Sequence, residues 1–160
     1  MFEGTRRAYT LLIFYMIQNI NRIGTDPAIE VLQEAAERQG IVVSREMRRI
    51  IPKDQPPLEF GAAIYRKFME DAGAEIEIHQ RDEHSITFRI ARCPFYEAYL
   101  DAGVDCGYFL NGLCSNLTLP SIQATLNQFN PSLGVETVTT REAAEDLCLE
   151  RITLTDPNQV

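Results

Sequence analysis

Apolar residues recur at helical spacing through the first half of the chain. This spacing predicts helices over residues 5–21, 26–40, 44–50 and 57–73, with a loop at residues 52–57. Asp26 followed by Pro27 is typical of a helix start, and Gly40 and Gly73 are typical of helix ends. The first half is therefore predicted to be helical.

The apolar pattern changes its period at residue 74. Residues 74–80 and 85–91 alternate, which predicts a β-hairpin with one apolar face. Helical spacing resumes over residues 95–102, 105–117 and 120–129, and strands are predicted at 135–140 and 148–155. We predict one α+β domain over residues 1–155, with the helical N-terminal half packed on a four-stranded antiparallel sheet, further helices between the two hairpins, and a frayed tail at 156–160.

The first predicted helix is apolar almost all round. Such a helix is buried, either in the core or against a second subunit, so we expect a homo-oligomer. Its apolar run from Leu11 to Ile17 is shorter than the roughly 20 residues that span a bilayer. No small-residue cleavage site follows it. These features predict a cytoplasmic protein without a membrane partner.

Charge and cysteine spacing narrow the classes of partner. The 160 residues carry a formal net charge of −8, which argues against a nucleic-acid partner. The four cysteines show no CxxC spacing, and a chain without a signal peptide is expected in a reducing compartment. We therefore predict no disulfide, no metal and no cofactor, and a small-molecule substrate or ligand as partner.

Cys93 is the first candidate for chemistry. It follows a predicted strand, and Pro94 is suited to the first position of a helix. A thiol at a helix N-terminus has a lowered pKa, which favours the reactive thiolate. The alternative is a small buried residue at a tight junction, because free cysteine is among the most buried residue types.

Further candidates surround this junction. Cys106 and Cys114 lie on one predicted helix about 12 Å apart along its axis, too far to share a metal ion. Cys148 begins the last strand and meets Cys93 if the two strand ends are neighbours. Candidate substrate contacts are Arg92, which could clamp a carboxylate or form a surface ion pair, together with Tyr96, Tyr99, Asn111 and Asn116.

The order of these motifs resembles a known family. Two capped helices precede a hairpin that ends in RCPFYEAYLDAG, followed by CGYFLNGLC and by a last strand in TTREAAEDLCLERITL. This order is similar to that of the L-2-amino-thiazoline-4-carboxylic acid hydrolases, which open a thiazoline ring on the route to cysteine. The resemblance implies that Cys93, Cys106 and Cys148 are the matching cysteines. The chain departs from the family pattern at Ser115 and Asn116, where relatives often carry an acidic residue.

The same segment is also similar to 4-vinyl reductase-like domains, which bind small hydrophobic molecules. Two hypotheses follow. The first is a hydrolase of a C–N bond in a small cyclic amidine-like or thiazoline-like carboxylate, attacked by water or by the Cys93 thiolate. The second is a non-enzymatic binding or sensor domain for a hydrophobic or tetrapyrrole-like ligand. The proposed site requires that the Cys93 thiol opens into an enclosed cavity.

Overall fold

The computed structural model describes residues 3–103, 114–141 and 145–155. The helices are α1 (Glu3–Ile23), α2 (Thr25–Ile50), α3 (Pro57–Asp71), α4 (Pro94–Ala102), a π-helix (Cys114–Thr118) and α5 (Leu119–Asn127). The strands are β1 (Glu75–Arg81), β2 (Ser85–Arg92), β3 (Leu133–Thr139) and β4 (Cys148–Leu154). The predicted α+β fold is confirmed. Of the predicted helix over 105–117, residues 105–113 lie outside the described residues.

The four described strands form one antiparallel sheet in the order β1-β2-β4-β3. β2 and β4 are therefore central, although they lie far apart in the sequence. Their register places Ile90 opposite Cys148 and Phe88 opposite Glu150. This pairing brings the end of β2, and with it Cys93, close to the start of β4.

The core lies between the inner face of the sheet and the helices. Side chains that are almost completely buried come from β2 (Ile86, Phe88, Ile90), from β4 (Ile152) and from α3 (Ile64, Tyr65). The alternation of buried and partly exposed residues along β4 follows from the period of two in a strand, with one face toward the helices. Burial of this apolar surface is the main favourable contribution to folding.

The second helix differs from its prediction. It runs unbroken through Gly40 to Ile50, so the predicted end at Gly40 and the separate helix over 44–50 were wrong. Gly40 is instead the point where α2 touches α5: a Cβ there would lie 2.5 Å from Cβ of Ala124. The Asp26 cap was also wrong, because the helix begins at Thr25 and Asp26 lies in its first turn.

Helix α1 is less buried than its composition predicted. Among its described residues only Ile13 is buried, while Leu11, Phe14 and Tyr15 are 69%, 48% and 63% exposed. The predicted cover by a second subunit and the predicted homo-oligomer both stay predictions. None of the helices in the described ranges has both the length and the apolar character needed to cross a membrane.

The close approach at Gly40 can be tested by substitution. Gly40→Ala would place its new methyl group within 3 Å of the Ser121 carbonyl oxygen and the Thr125 nitrogen, both backbone atoms. We expect a loss of about 1–3 kcal/mol in the free energy of unfolding, measured by urea denaturation, despite the better helix propensity of alanine. Gly4→Ala is the control, because a Cβ at that position would meet no atom of the described residues within 4 Å. Equal stability of the two variants would contradict the packing role of Gly40.

Candidate functional site

Cys93 lies at the junction between β2 and α4, as the sequence predicted. It is the N-cap residue of α4, with Pro94 in the first turn. The thiol is buried, and burial raises its pKa to about 11, although a hydrogen bond from the backbone N–H of Tyr96 acts in the opposite direction. The expected lowering of the pKa by the helix N-terminus was wrong, because desolvation outweighs it.

Cys148 and Arg141 meet at the same end of the sheet. The backbone N–H and Nε of Arg141 donate hydrogen bonds to Sγ of Cys148 at 3.4 and 3.5 Å. Nη2 of Arg141 donates to the carbonyl oxygens of Ile90 at 2.8 Å and Ala91 at 3.4 Å. Cζ of Arg141 lies 5.1 Å from the centroid of the Tyr96 ring. The guanidinium is thus fixed to the last residues of β2.

The charge of Arg141 has an unusual environment. Arg141 is buried, yet its guanidinium forms no ion pair with any carboxylate of the described residues. A buried charge is costly unless it is paired, and backbone carbonyls and a thiol compensate it only in part. This residue can therefore accept a carboxylate from a bound molecule.

Glu150 is the second buried ionisable side chain. It lies on β4 two residues after Cys148, and both side chains are buried on the same face of the strand. The Tyr65 hydroxyl donates a hydrogen bond to Oε2 of Glu150. Burial raises the pKa of the Glu150 carboxyl, while the hydrogen bond from Tyr65 lowers it. Since burial is the larger effect, the equilibrium of Glu150 is shifted towards its neutral form, which can donate a proton.

Cys114 completes this group from the first position of the π-helix. Burial raises its pKa well above the usual value, with smaller contributions from the neighbouring Cys93 and Glu150. Electrostatic interactions also link Cys93 with Cys148, Arg141 and Glu150. We call Cys93, Cys114, Cys148, Arg141 and Glu150 the thiol cluster. π-Helical turns occur frequently at functional sites.

A cavity of about 250 Å³ lies between the helices. Its apolar wall includes Tyr9, Leu12, Val43, Met47, Phe68 and Phe95. The Tyr9 and Phe95 rings stack with their centroids 4.1 Å apart. Burial raises the pKa of Tyr9 to about 12, with a smaller contribution from Cys93, so this wall is near the thiol cluster. None of the three described thiols lines this cavity, so the opening predicted for Cys93 stays a prediction.

The remaining predicted site residues divide into three groups. Cys106 and Asn111 lie outside the described residues. Tyr96 and Tyr99 lie on α4 and are buried in the core, and Tyr96 contacts Arg141. Arg92 donates to both carboxylate oxygens of Glu97, at 2.6 and 3.1 Å, and Asn116 accepts a hydrogen bond from Gln33 at 2.8 Å. Their roles in binding stay predictions.

Sequence reasoning missed Arg141, Glu150 and Tyr65. The pattern of β4 contained a usable indication, because Glu150 alternates with Cys148 and Ile152 on the apolar face of the strand. A carboxylate at such a position is rarely buried without a purpose. Arg141 belongs to the charged segment before β4, where nothing in the sequence distinguishes a buried arginine from an exposed one.

Among the described residues, no group of three His, Cys, Asp or Glu side chains is arranged to hold a metal ion.

A comparison with curated protein sequences found no significant match. The sequence model of one family, described as L-2-amino-thiazoline-4-carboxylic acid hydrolase, matches residues 5–151. That match spans α1 through most of β4 and so includes every described member of the thiol cluster. The chain therefore belongs to the L-2-amino-thiazoline-4-carboxylic acid hydrolase family.

Proposed function

We propose that this protein hydrolyses a C–N bond in a small cyclic amidine-like or thiazoline-like carboxylate at the thiol cluster. The family supports a hydrolase of this type. The observation that carries the proposal is the placement of two buried ionisable groups, a Glu150 that favours its neutral form and an Arg141 without a carboxylate partner among the described residues. Glu150 is suited to donating a proton, and Arg141 is suited to binding the carboxylate of such a substrate.

Arg141 is the preferred group for binding the substrate carboxylate. Its guanidinium is held in place by the Ile90 carbonyl and the Cys148 sulfur, so little conformational freedom is lost on binding. Arginine binds carboxylates through parallel N–H donors. Arg92, which the sequence suggested for this role, already pairs with Glu97 in a part-exposed position. The carboxylate of a substrate would have to displace Glu97 there.

Glu150 is the proposed general acid. A neutral carboxyl donates a proton to the ring nitrogen, which makes the C=N carbon more electrophilic. Water adds its oxygen to that carbon, and the Glu150 carboxylate accepts a proton from the water. The ring C–N bond then breaks as the carbon–oxygen bond becomes a carbonyl. Glu150 donates the proton it took from the water to the leaving nitrogen and takes up the remaining hydroxyl proton, so the nitrogen gains two hydrogens in total and Glu150 returns to its neutral form.

Water is the preferred nucleophile over Cys93. With a pKa of about 11, the Cys93 thiol is protonated near neutral pH, and a thiol is a much weaker nucleophile than a thiolate. The proposed role of Cys93 is to contact the substrate. Cys148 accepts hydrogen bonds from Arg141, and its proposed role is to orient that side chain. Cys106 remains a further candidate from the family resemblance.

A second function, non-enzymatic binding of a hydrophobic molecule, is favoured by one observation. The helical cavity has a largely apolar wall and is not lined by the described thiols. A pocket of this composition binds small molecules without any need for a reactive group. Binding without turnover in the following assays would favour this alternative.

The hydrolase proposal predicts turnover of 2-amino-thiazoline-4-carboxylate by the purified protein, measured as release of the ring-opened product. Glu150→Gln should lower kcat by about 10²–10⁴, because the amide cannot donate an acidic proton. Arg141→Gln should lower kcat/KM at least about thirtyfold, mainly through KM. The controls are Glu97→Gln and Arg151→Gln, which change part-exposed side chains outside the cluster. Equal losses in the controls, or full activity in Glu150→Gln, would contradict the assignment.

The choice of nucleophile has its own test. Cys93→Ser removes the thiol and keeps a small hydrogen-bonding side chain at the buried junction. If water attacks directly, we expect turnover to fall less than about tenfold, with no covalent adduct in the mass spectrum of the wild-type protein during turnover. Complete loss of turnover in a folded Cys93→Ser variant, together with such an adduct, would instead establish Cys93 as the nucleophile.

The raised pKa of Glu150 predicts a pH effect on stability. In the unfolded chain the Glu150 carboxyl loses its proton above a pKa of about 4.3, whereas in the folded state it keeps the proton until the pH exceeds its raised pKa. The free energy of unfolding therefore falls as the pH rises between these two pKa values. Glu150→Gln removes this dependence. Urea denaturation should therefore show the variant gaining stability relative to wild type as the pH rises above about 4.3, the pKa of an unfolded glutamate. Glu97→Gln should show no such gain, because Arg92 lowers the pKa of Glu97.

A further inference from the structure

We propose that the cavity between the helices is a binding site for a small amine with an apolar body, a hydrogen-bonding group at its inner end and a cationic group at its outer end. This site is separate from the proposed hydrolysis, which uses none of the groups that would hold the amine. The inference rests on the shape of the cavity, on one unsatisfied hydroxyl in its wall and on the charge at its rim.

The cavity has the size and composition of a small-ligand site. Its volume of about 250 Å³ is near the lower end of the range of roughly 300–1,000 Å³ that small-molecule pockets occupy. Four helices and the π-helix contribute its apolar wall, which includes the stacked aromatic rings of Tyr9 and Phe95. A flat aromatic or a compact aliphatic body would fit against these rings.

Thr118 supplies the hydrogen-bonding group at the inner end. It lines the cavity, is 3% exposed, and its Oγ1 has no hydrogen-bond partner among the described residues. A buried hydroxyl without a partner is costly, so natural proteins rarely leave one unsatisfied. The neighbouring polar groups of the wall differ in this respect, because the Ser121 hydroxyl donates to Oε1 of Gln39 at 2.8 Å. Thr118 is therefore the group that a ligand would satisfy.

The charge of the lining selects the ligand class. The residues that line the cavity include Glu46 and Asp71, and no Lys or Arg of the described residues. Asp71 is already paired with Lys67, whereas Glu46 has no ion pair among the described residues. Glu46 is exposed, so its carboxylate lies toward the solvent end. The negative charge of Glu46 favours a cation and repels a carboxylate, which is the opposite preference to that of Arg141.

Three probes of similar shape separate the contributions. Tyramine carries both a phenol hydroxyl and an ammonium group, phenethylamine lacks the hydroxyl, and 3-(4-hydroxyphenyl)propanoate replaces the ammonium by a carboxylate. Dissociation constants would be measured by NMR titration of the ¹⁵N-labelled full chain. We expect tyramine to bind most tightly, phenethylamine roughly fivefold more weakly, and the propanoate most weakly of all. The shifted amide signals should include Thr118 and the adjacent turn of α2.

Two variants assign the groups. Thr118→Val keeps the shape of the side chain and should remove the advantage of tyramine over phenethylamine, while the protein folds with unchanged or higher stability. Glu46→Gln should weaken the binding of both amines about threefold. Glu37→Gln is the matched control, because it removes the same charge from the same helix outside the cavity. It should leave both amines unaffected.

The outcomes distinguish this proposal from its alternatives. Binding of the propanoate as tight as that of tyramine, or an advantage of tyramine that survives in Thr118→Val, would overturn it. Absence of binding by both amines would also overturn it. Because none of these measurements depends on thiazoline turnover, failure of the amine site leaves the hydrolase proposal standing, and the reverse also holds.

Discussion

The pairing of β2 with β4 is the interaction on which the candidate site depends. It aligns Ile90 with Cys148 and Phe88 with Glu150, so groups from distant parts of the chain meet on the inner face of one sheet. The same pairing allows the Arg141 guanidinium to reach the carbonyl oxygens of Ile90 and Ala91. A shift of one residue would turn Cys148 and Glu150 toward the opposite face, because side chains alternate along a strand. Register and site are therefore maintained by the same apolar contacts.

Burial determines the chemistry available at the cluster. It raises the pKa of Cys93, Cys114 and Glu150, so each of these groups favours its neutral form. For the two thiols this reduces nucleophilicity, but for the carboxyl it favours the form that can donate a proton. The same environment has therefore opposite consequences for a nucleophile and for an acid. This difference is the physical reason why we assign proton transfer to Glu150 and do not assign the nucleophilic attack to Cys93.

Much of the fold could be predicted from the sequence because it follows from local periodicity. The alternation in β1 and β2, and Pro94 directly after Cys93, correctly predicted the hairpin and the strand-to-helix junction. Gly40 misled the prediction, because a glycine that ends a helix and one that admits a neighbouring helix look alike in sequence. The partners of Cys148, Arg141 and Glu150 depend on tertiary contacts, which local patterns do not contain. The pKa of Cys93 was predicted in the wrong direction for the same reason, since burial is a tertiary property.

The π-helix connects the two candidate sites. Its first residue, Cys114, belongs to the thiol cluster, and its last, Thr118, lines the helical cavity. The wider turn of a π-helix places side chains at angles that an α-helix does not reach, and its geometry is less favourable, so it persists where surrounding contacts impose it. Here one of those contacts comes from α2, where Nε2 of Gln33 donates to Oδ1 of Asn116 in the middle of the π-helix at 2.8 Å. A ligand that engages Thr118 would act on the same short segment that positions Cys114. The two candidate sites therefore share one five-residue segment but use different side chains of it.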